Sequence, residues 1–361
     1  LSGTQEGIVG NRYSGTAQVS LPLELGGRRS ARIEVAEAQF KVREASLADS
    51  ERRLAAEVRA KFGESLALIE KLKFLEELVA NAEQGYKLIS AKVDEGRNAP
   101  LEQNMTLVEL NRIRSMREMA TGAVEIKLLE LRNFMGIESA EPLRLKGDFE
   151  DLLVSLPPLS VALRESISQR SDLESLRLNI ALGNALLEQA RAEGRLDAGV
   201  FVGFQRMTRI MSLVTNQNPV ELTPNLVGEN FITFGVDLML PVRNKNQGNI
   251  ESAALQINAV QKRLEFGELS VRREVTAAYT RYERAVRALT IFQTGVRNQA
   301  RQNLQVVWQT YELGNKDLLD YIAEERRYLE LENNLIDALL EVYLANTEIL
   351  GVTNSPKLIV R

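Results

Sequence analysis

The stretch VSLPLELGGRRSAR, Val19 to Arg32, changes its period halfway through. Up to Leu23 apolar and polar residues alternate, and the alternation reaches back to Tyr13. Tyr13, Ala17, Val19, Leu21 and Leu23 face one way, and Ser14, Thr16, Gln18, Ser20 and Glu24 the other. Period two with one apolar side describes a strand with one face covered and one wet. Gly26-Gly27 interrupts it, and no proline occurs from Ser30 to Lys92. A helix over that run is roughly 90 Å long at 1.5 Å per residue. The stretch is therefore predicted to join a strand to a long helix.

The same junction recurs. VDLMLPVRNKNQGNI begins at Val236, 217 residues after Val19, and that offset also places Ile33 on Ile250, Gln39 on Gln256 and Glu57-Val58 on Glu274-Val275. One inserted residue later, Gly96 falls on Gly314. Two internal structural repeats are expected, each running strand, long helix, sharp turn, shorter helix. Two further strands are read by alternation, Leu196 to Met207 and Ile232 to Leu240, with Thr208 to Asn230 as the loop between them. The second long helix, Asn249 to Glu312, carries an apolar stripe from Val275 to Tyr311 that includes Tyr282, Leu289, Phe292, Val296, Ala300 and Leu304. Its period of about 3.6 predicts a nearly straight, unbroken helix. Gly96 and Gly314 are placed to end the long helices in the left-handed conformation, and Asn98 and Asn315 to cap the return helices, Pro100 to Met135 and Asp317 to Leu350. The segments are a strand region at 1–26, a helical hairpin at 27–136, a connector at 137–158, a helix at 159–195, a strand hairpin at 196–243, a helical hairpin at 244–350 and a tail at 351–361. Because each return helix covers about half of its partner, a further short helix is expected before residue 1.

Composition narrows the function. The 361 residues are 44% hydrophobic, enough for a folded core, with Lys plus Arg at 45 against Asp plus Glu at 49. Such a balance offers no field to attract nucleic acid. Neither Cys nor His is present, which removes thiolate nucleophiles, imidazole bases and the usual zinc ligands. No enzyme activity, catalytic residue, cofactor or metal site is expected. Met105, Met116, Met119 and the lone Trp308 are read as packing residues.

No run of 18 apolar residues exists, so a membrane role needs the strands. Three or four strands cannot close a barrel alone, and an open edge does not survive in lipid. Closure would come from other copies of the chain, giving a wet pore continuous with a helical tube. A soluble coiled-coil structural or adaptor protein of the periplasm is the alternative, since alternation alone does not distinguish a lipid-facing strand from one facing a protein core.

The repeat, SLPLELGGRRSAR, the turn YELGNKDLLDYIAEERR and the closing LANTEILGV resemble the TolC-type outer membrane efflux proteins. The likeness is closest to the outer membrane components of heavy-metal resistance pumps of the cobalt, zinc, cadmium or copper, silver type. It implies a mainly α fold with a small β part, long antiparallel hairpins forming an α-barrel and strands forming a trimeric 12-stranded transmembrane β-barrel. Of the family's first strand, only residues 2–8 are expected to remain. The resemblance also implies a passive exit duct in the bacterial outer membrane, its helices in the periplasm, exporting metal cations or other toxic small solutes. Its partners would be two further copies, outer membrane lipid, a periplasmic adaptor and an inner-membrane pump of the resistance-nodulation-division type. A lipid anchor is implied by the resemblance alone, since the family's lipid-bearing Cys is absent here. Tyr311, Lys316 and Asp320 fit the positions that hold the family's entrance shut, whereas Ala323 stands where the family has a further Asp. Glu102, the counterpart of Asp320 in the first repeat, is added as a member of the same tip ring. Asp94, Gly96, Asn98 and Pro100 on one tip, and Gly314, Asn315 and Asp317 on the other, are expected to meet the adaptor.

Overall fold

The computed structural model describes residues 6–138, 143–213 and 225–358. The described residues are mostly helical with one small antiparallel sheet. In order the chain runs β1 (Glu6–Pro22), α1 (Arg28–Asp94), α2 (Pro100–Met135), α3 (Phe149–Leu152), α4 (Leu159–Gln169), α5 (Ser171–Glu193), β2 (Asp197–Leu213), β3 (Asn225–Met239), α6 (Gln247–Ile291), α7 (Arg297–Glu312) and α8 (Leu318–Val352). It divides into two units. One comprises Leu1–Arg43 with Leu176–Arg263, the other Glu44–Ser175 with Leu264–Arg361.

In the first unit β1, β2 and β3 pair antiparallel in that order. Register turns alternation into a continuous surface. Leu21 lies opposite Val200 and Val200 opposite Val236; the next rows are Val19, Val202, Phe234 and Ala17, Phe204, Ile232. These large side chains stay uncovered, with Val19 77% and Phe234 83% exposed. The other face carries Gln18, Gly203 and Thr233 in one row and Thr16, Gln205 and Phe231 in another. Phe201 also stands on this polar side, over Gly235, where a Cβ would meet its ring at 2.6 Å. Contiguous exposed apolar surface of this kind marks a face that another apolar phase covers.

The junction at Gly26-Gly27 is a single 3₁₀ turn, Leu25–Gly27, with Gly26 and Gly27 at φ 74° and 83°. Positive φ costs glycine least, and at Gly26 a Cβ would also meet the Arg195 side chain at 2.9 Å. Side chains latch the turn. Asp197 accepts from the Leu25 backbone N–H at 3.0 Å and pairs with Arg28 at 2.9 Å. Arg28 also donates to the carbonyls of Glu193 and Arg195, and Arg195 donates back to that of Gly26. Chain direction thus changes at a point fixed by β2 and the end of α5.

Some expected boundaries move. From Glu6 onward, residues read as a remnant of a separate strand belong to β1 itself; residues 2–5 lie outside the described residues. The loop expected over Thr208 to Asn230 is shorter, because β2 continues to Leu213 and β3 starts at Asn225, while 214–224 lie outside the described residues. The expected helix at 159–195 is two helices. Arg170 takes an extended backbone between them, φ −66° and ψ 128°, as its guanidinium turns inward to Asp172 and Glu274.

The long helix over Asn249 to Glu312 is also interrupted, by a π-helical turn at Phe292–Val296. The stripe explains it. Phe292, Val296, Ala300 and Leu304 are spaced by four residues three times running, wider than the 3.6 of an α-helix, and a locally unwound turn keeps them on one side. The return helix expected to end at Leu350 runs on to Val352, and the tail beyond it folds a 3₁₀ turn, Pro356–Leu358, whose Leu358 is buried. Met119, read as a packing residue, is exposed.

The second unit packs its helices in layers along their length. One core layer joins Leu66 and Ala67 of α1 to Ile336 and Tyr343 of α8, with Phe149 of the connector edge-on to the Tyr343 ring at 5.7 Å. Gly63 lets α1 approach this ring so closely that a Cβ would overlap it. Gly63→Ala is expected to destabilise the fold by about 1–3 kcal/mol through overpacking, read as a lower midpoint in chemical unfolding. An unchanged midpoint would show that the buried ring has room to move.

Candidate functional site at the helical hairpin tips

Both long helices end in the same way. Gly96 at φ 72° donates to the Val93 carbonyl and Arg97 to that of Lys92; Gly314 at φ 75° donates to Tyr311 and Asn315 to Thr310. These paired bonds are the Schellman closure, which satisfies carbonyls that a helix end leaves free. The predicted caps differ from those found. Ala99 and Asp317 hold the capping positions of α2 and α8, without a side-chain cap bond, and Pro100 opens α2. Asn98 stands one residue before the capping position, and its amide nitrogen donates elsewhere.

Its partners form the tightest polar contact of the tips. The Tyr311 hydroxyl donates to Glu102 Oε2 at 2.6 Å, and Asn98 Nδ2 donates both to the same carboxylate at 2.7 Å and to the Tyr311 oxygen at 3.0 Å. Three residues from two hairpins, 213 positions apart at the widest, thereby close a ring. Tyr311 is buried beside Ile89, Leu318 and Ile322, and Trp308, Tyr321, Met105 and Val93 pack against that cluster. Burial and the adjacent Glu102 carboxylate push the phenol well above its ordinary value, so it remains a donor throughout the physiological range.

Lys316 and Asp320 stand apart from this ring. They pair with each other at 3.3 Å, one helical turn apart, with both side chains about half exposed. An exposed pair of that type contributes little to stability. The structure therefore brings Tyr311 to Glu102 and leaves Lys316 and Asp320 as a local pair on α8. Asp94, Gly96 and Pro100, like Gly314, Asn315 and Asp317, are exposed, and Asn98 is half-buried.

A second cross-hairpin contact lies deeper. Glu109 of α2 is 4% exposed and accepts from Arg326 of α8 at 2.7 Å and from Arg112 of its own helix. Burial pushes the Glu109 carboxyl up, but the two guanidinium hydrogen bonds outweigh it and hold the group below the usual glutamate value. Sequence reading missed this contact. An i, i+3 Glu–Arg pair on a helix looks like any solvated face until α8 is laid against it.

A family model described as outer membrane efflux protein matches residues 2–137, which contain β1, α1 and α2. The chain resembles the outer membrane efflux proteins. Similarity to known proteins extends past the matched segment. The chain is 25% identical over 334 residues to the cobalt-zinc-cadmium resistance protein CzcC of Cupriavidus metallidurans, covering 92% of this chain and 75% of that protein. Solved structures share the fold over nearly the whole length. A membrane protein from Pseudomonas aeruginosa aligns at TM-score 0.73 and 17% identity, covering 98% of this chain and 83% of its own. CusC, whose structures address transmembrane channel formation, aligns at 0.72 and 16%, covering 97% and 82%.

Proposed function

We propose that this efflux-type chain is the outer membrane exit duct of a tripartite pump. The observation that carries the reading is the three-stranded sheet, whose exposed apolar rows lie in register on one face while the other is largely polar. An apolar face against lipid and a polar face toward water suit a strand set that closes with further copies into a barrel. Three copies of the three-stranded sheet supply nine strands, so the 12-stranded barrel implied by the resemblance needs a fourth strand from each copy; the helices would form a periplasmic tube, with the chain's two internal repeats supplying its two hairpins.

Transport through such a duct is passive, with energy supplied by an inner-membrane pump of the resistance-nodulation-division type. The relative's name points to metal cations as cargo, and other toxic small solutes fit the same wet channel. The resting entrance is closed by the tips, where Glu102, Asn98 and Tyr311 tie one hairpin to the other and Lys316 and Asp320 stand at the rim. The exposed turns at Asp94 to Pro100 and Gly314 to Asp317 are offered to the adaptor's helices, individually weak contacts strengthened by repetition around the ring.

Particle mass by light scattering tests the assembly. A trimer that forms with detergent and aggregates without it is expected, together with discrete conductance steps in planar bilayers. A monodisperse monomer in plain buffer with no conductance would overturn the duct in favour of the soluble coiled-coil adaptor.

A further inference from the structure

The layer beneath the tips holds a second buried carboxyl that the duct reading does not use. Glu325 of α8 is 4% exposed, as is Glu109 of α2, yet the two have unequal company. Arg112 and Arg326 both bond Glu109. Glu325 faces the Tyr321 hydroxyl one turn away and borders a cavity of about 30 Å³ that also touches Glu109, Thr106 and Asn81. A space of that size has room for about one water, and these polar walls suit it.

Among the described residues, the guanidiniums that act on Glu325 are those of Arg112 and Arg326, and both bond Glu109. From α1, Glu77 and Tyr86 face the spaces it borders, with Asn81 and Gln84 as neutral neighbours. From α7, Arg297 reaches the same groove but pairs with Glu332 at 3.0 Å, while Arg301 stands along its wall. From α8 itself come Tyr321, Tyr328, Glu332 and Arg326. Ionising Glu325 would set a second negative charge beside Glu109 in a buried layer whose nearest guanidiniums are already bonded.

We propose that Glu325 is a proton-operated brace between the two hairpins. Neutral, it allows α2 and α8 to pack as seen; ionised, it competes with Glu109 for Arg112 and Arg326 and loosens the layer. Burial, followed by the Glu109 charge, pushes the Glu325 carboxyl up to about 7. The sign follows from linkage. A carboxyl raised in the packed state stabilises that state fully below its ordinary value near 4.5, and the contribution is lost as pH rises from there to about 7. The consequence for the channel, an entrance that opens more readily as the surrounding fluid becomes less acidic, rests on the duct reading. The brace itself does not.

Trp308 is a built-in reporter. It is the chain's only tryptophan, lines the same groove and lies edge-on to Tyr321 with ring centres 4.7 Å apart. Its emission in the full-length chain, titrated from pH 5 to 9 in detergent, is expected to show one transition with a midpoint near 7. Glu325→Gln keeps the size and removes the charge, and should hold the emission flat at the acid-side spectrum. Glu109→Gln frees both guanidiniums for Glu325 and should move the midpoint down by about one pH unit or more. A flat wild-type titration, an unchanged transition in Glu325→Gln, or an unmoved midpoint in Glu109→Gln would each overturn the brace. The readout needs no conductance, so it stands or fails separately from the duct.

Discussion

Tyr311→Phe is expected, on the proposed duct reading, to raise the open fraction of the reconstituted protein about tenfold at neutral pH. The hydroxyl it removes donates to Glu102 at 2.6 Å from a buried position, and a hydrogen bond to a charged acceptor is worth about 1.5–3 kcal/mol. A change of about 1.4 kcal/mol shifts an equilibrium tenfold. Phenylalanine retains the packing against Ile89, Leu318 and Ile322, so the effect isolates the bond from the core. Glu102→Gln should act in the same direction but more weakly, since an amide oxygen still accepts from Tyr311. Lys316→Ala combined with Asp320→Ala breaks an exposed pair worth at most about 1 kcal/mol, and should move the open fraction only a few-fold. Single-channel recording ranks the three. If Tyr311→Phe conducts like the parent while the Lys316 and Asp320 pair variant opens, the entrance is held at the rim and the buried ring is structural.

Arg170→Ala is expected to cost about 3 kcal/mol of stability, measured by chemical unfolding followed by circular dichroism. Arg170 is 5% exposed, grips both oxygens of Asp172 at 3.0 and 2.6 Å, and reaches Glu274 at 2.7 Å. Removing one member of a buried pair strands the other, which typically costs about 3–5 kcal/mol; the partial exposure of Glu274 favours the lower end. Arg170→Lys should recover only part, because an ammonium cannot present two parallel donors to Asp172. The pH profile carries a second check. Burial pushes the Asp172 carboxyl up, but Arg170 outweighs it and holds the group below its ordinary value near 3.8. The stabilisation is therefore complete above that value and is lost as pH falls through the still lower folded value. The gap between parent and variant should stay constant from pH 5 to 8 and shrink only in stronger acid. A gap that instead narrows toward alkaline pH would mean that another group, not Asp172, is stranded.

Two of the expectations that failed share a cause. Asn98 has the right chemistry and nearly the right place to cap a helix, yet its amide is claimed by a carboxylate and by the phenol of a distant helix. Arg170 lies inside a sequence with helical period, and burial of its guanidinium breaks the helix there. In each case a contact with a distant segment outweighed a local preference of about 1 kcal/mol. The π turn in the second long helix is different, because its cause, the three successive four-residue steps from Phe292 to Leu304, lies in the sequence and was hidden by the stripe's mean period of about 3.6.

By itself the sequence determined what depends on neighbours along the chain. Alternation from Tyr13 to Leu23 set the strand and its two faces, unbroken helical period set the long helices, and Gly26-Gly27, Gly96 and Gly314 set where the chain turns, because only positive φ fits there. Tertiary structure alone decided which charged residues are buried and with whom. Glu109, Glu325, Arg170 and the Glu102–Asn98–Tyr311 ring look like ordinary surface polarity until two helices meet. The physical reason is that a side chain's period is a property of its own helix, whereas desolvation and pairing are properties of the face laid against it.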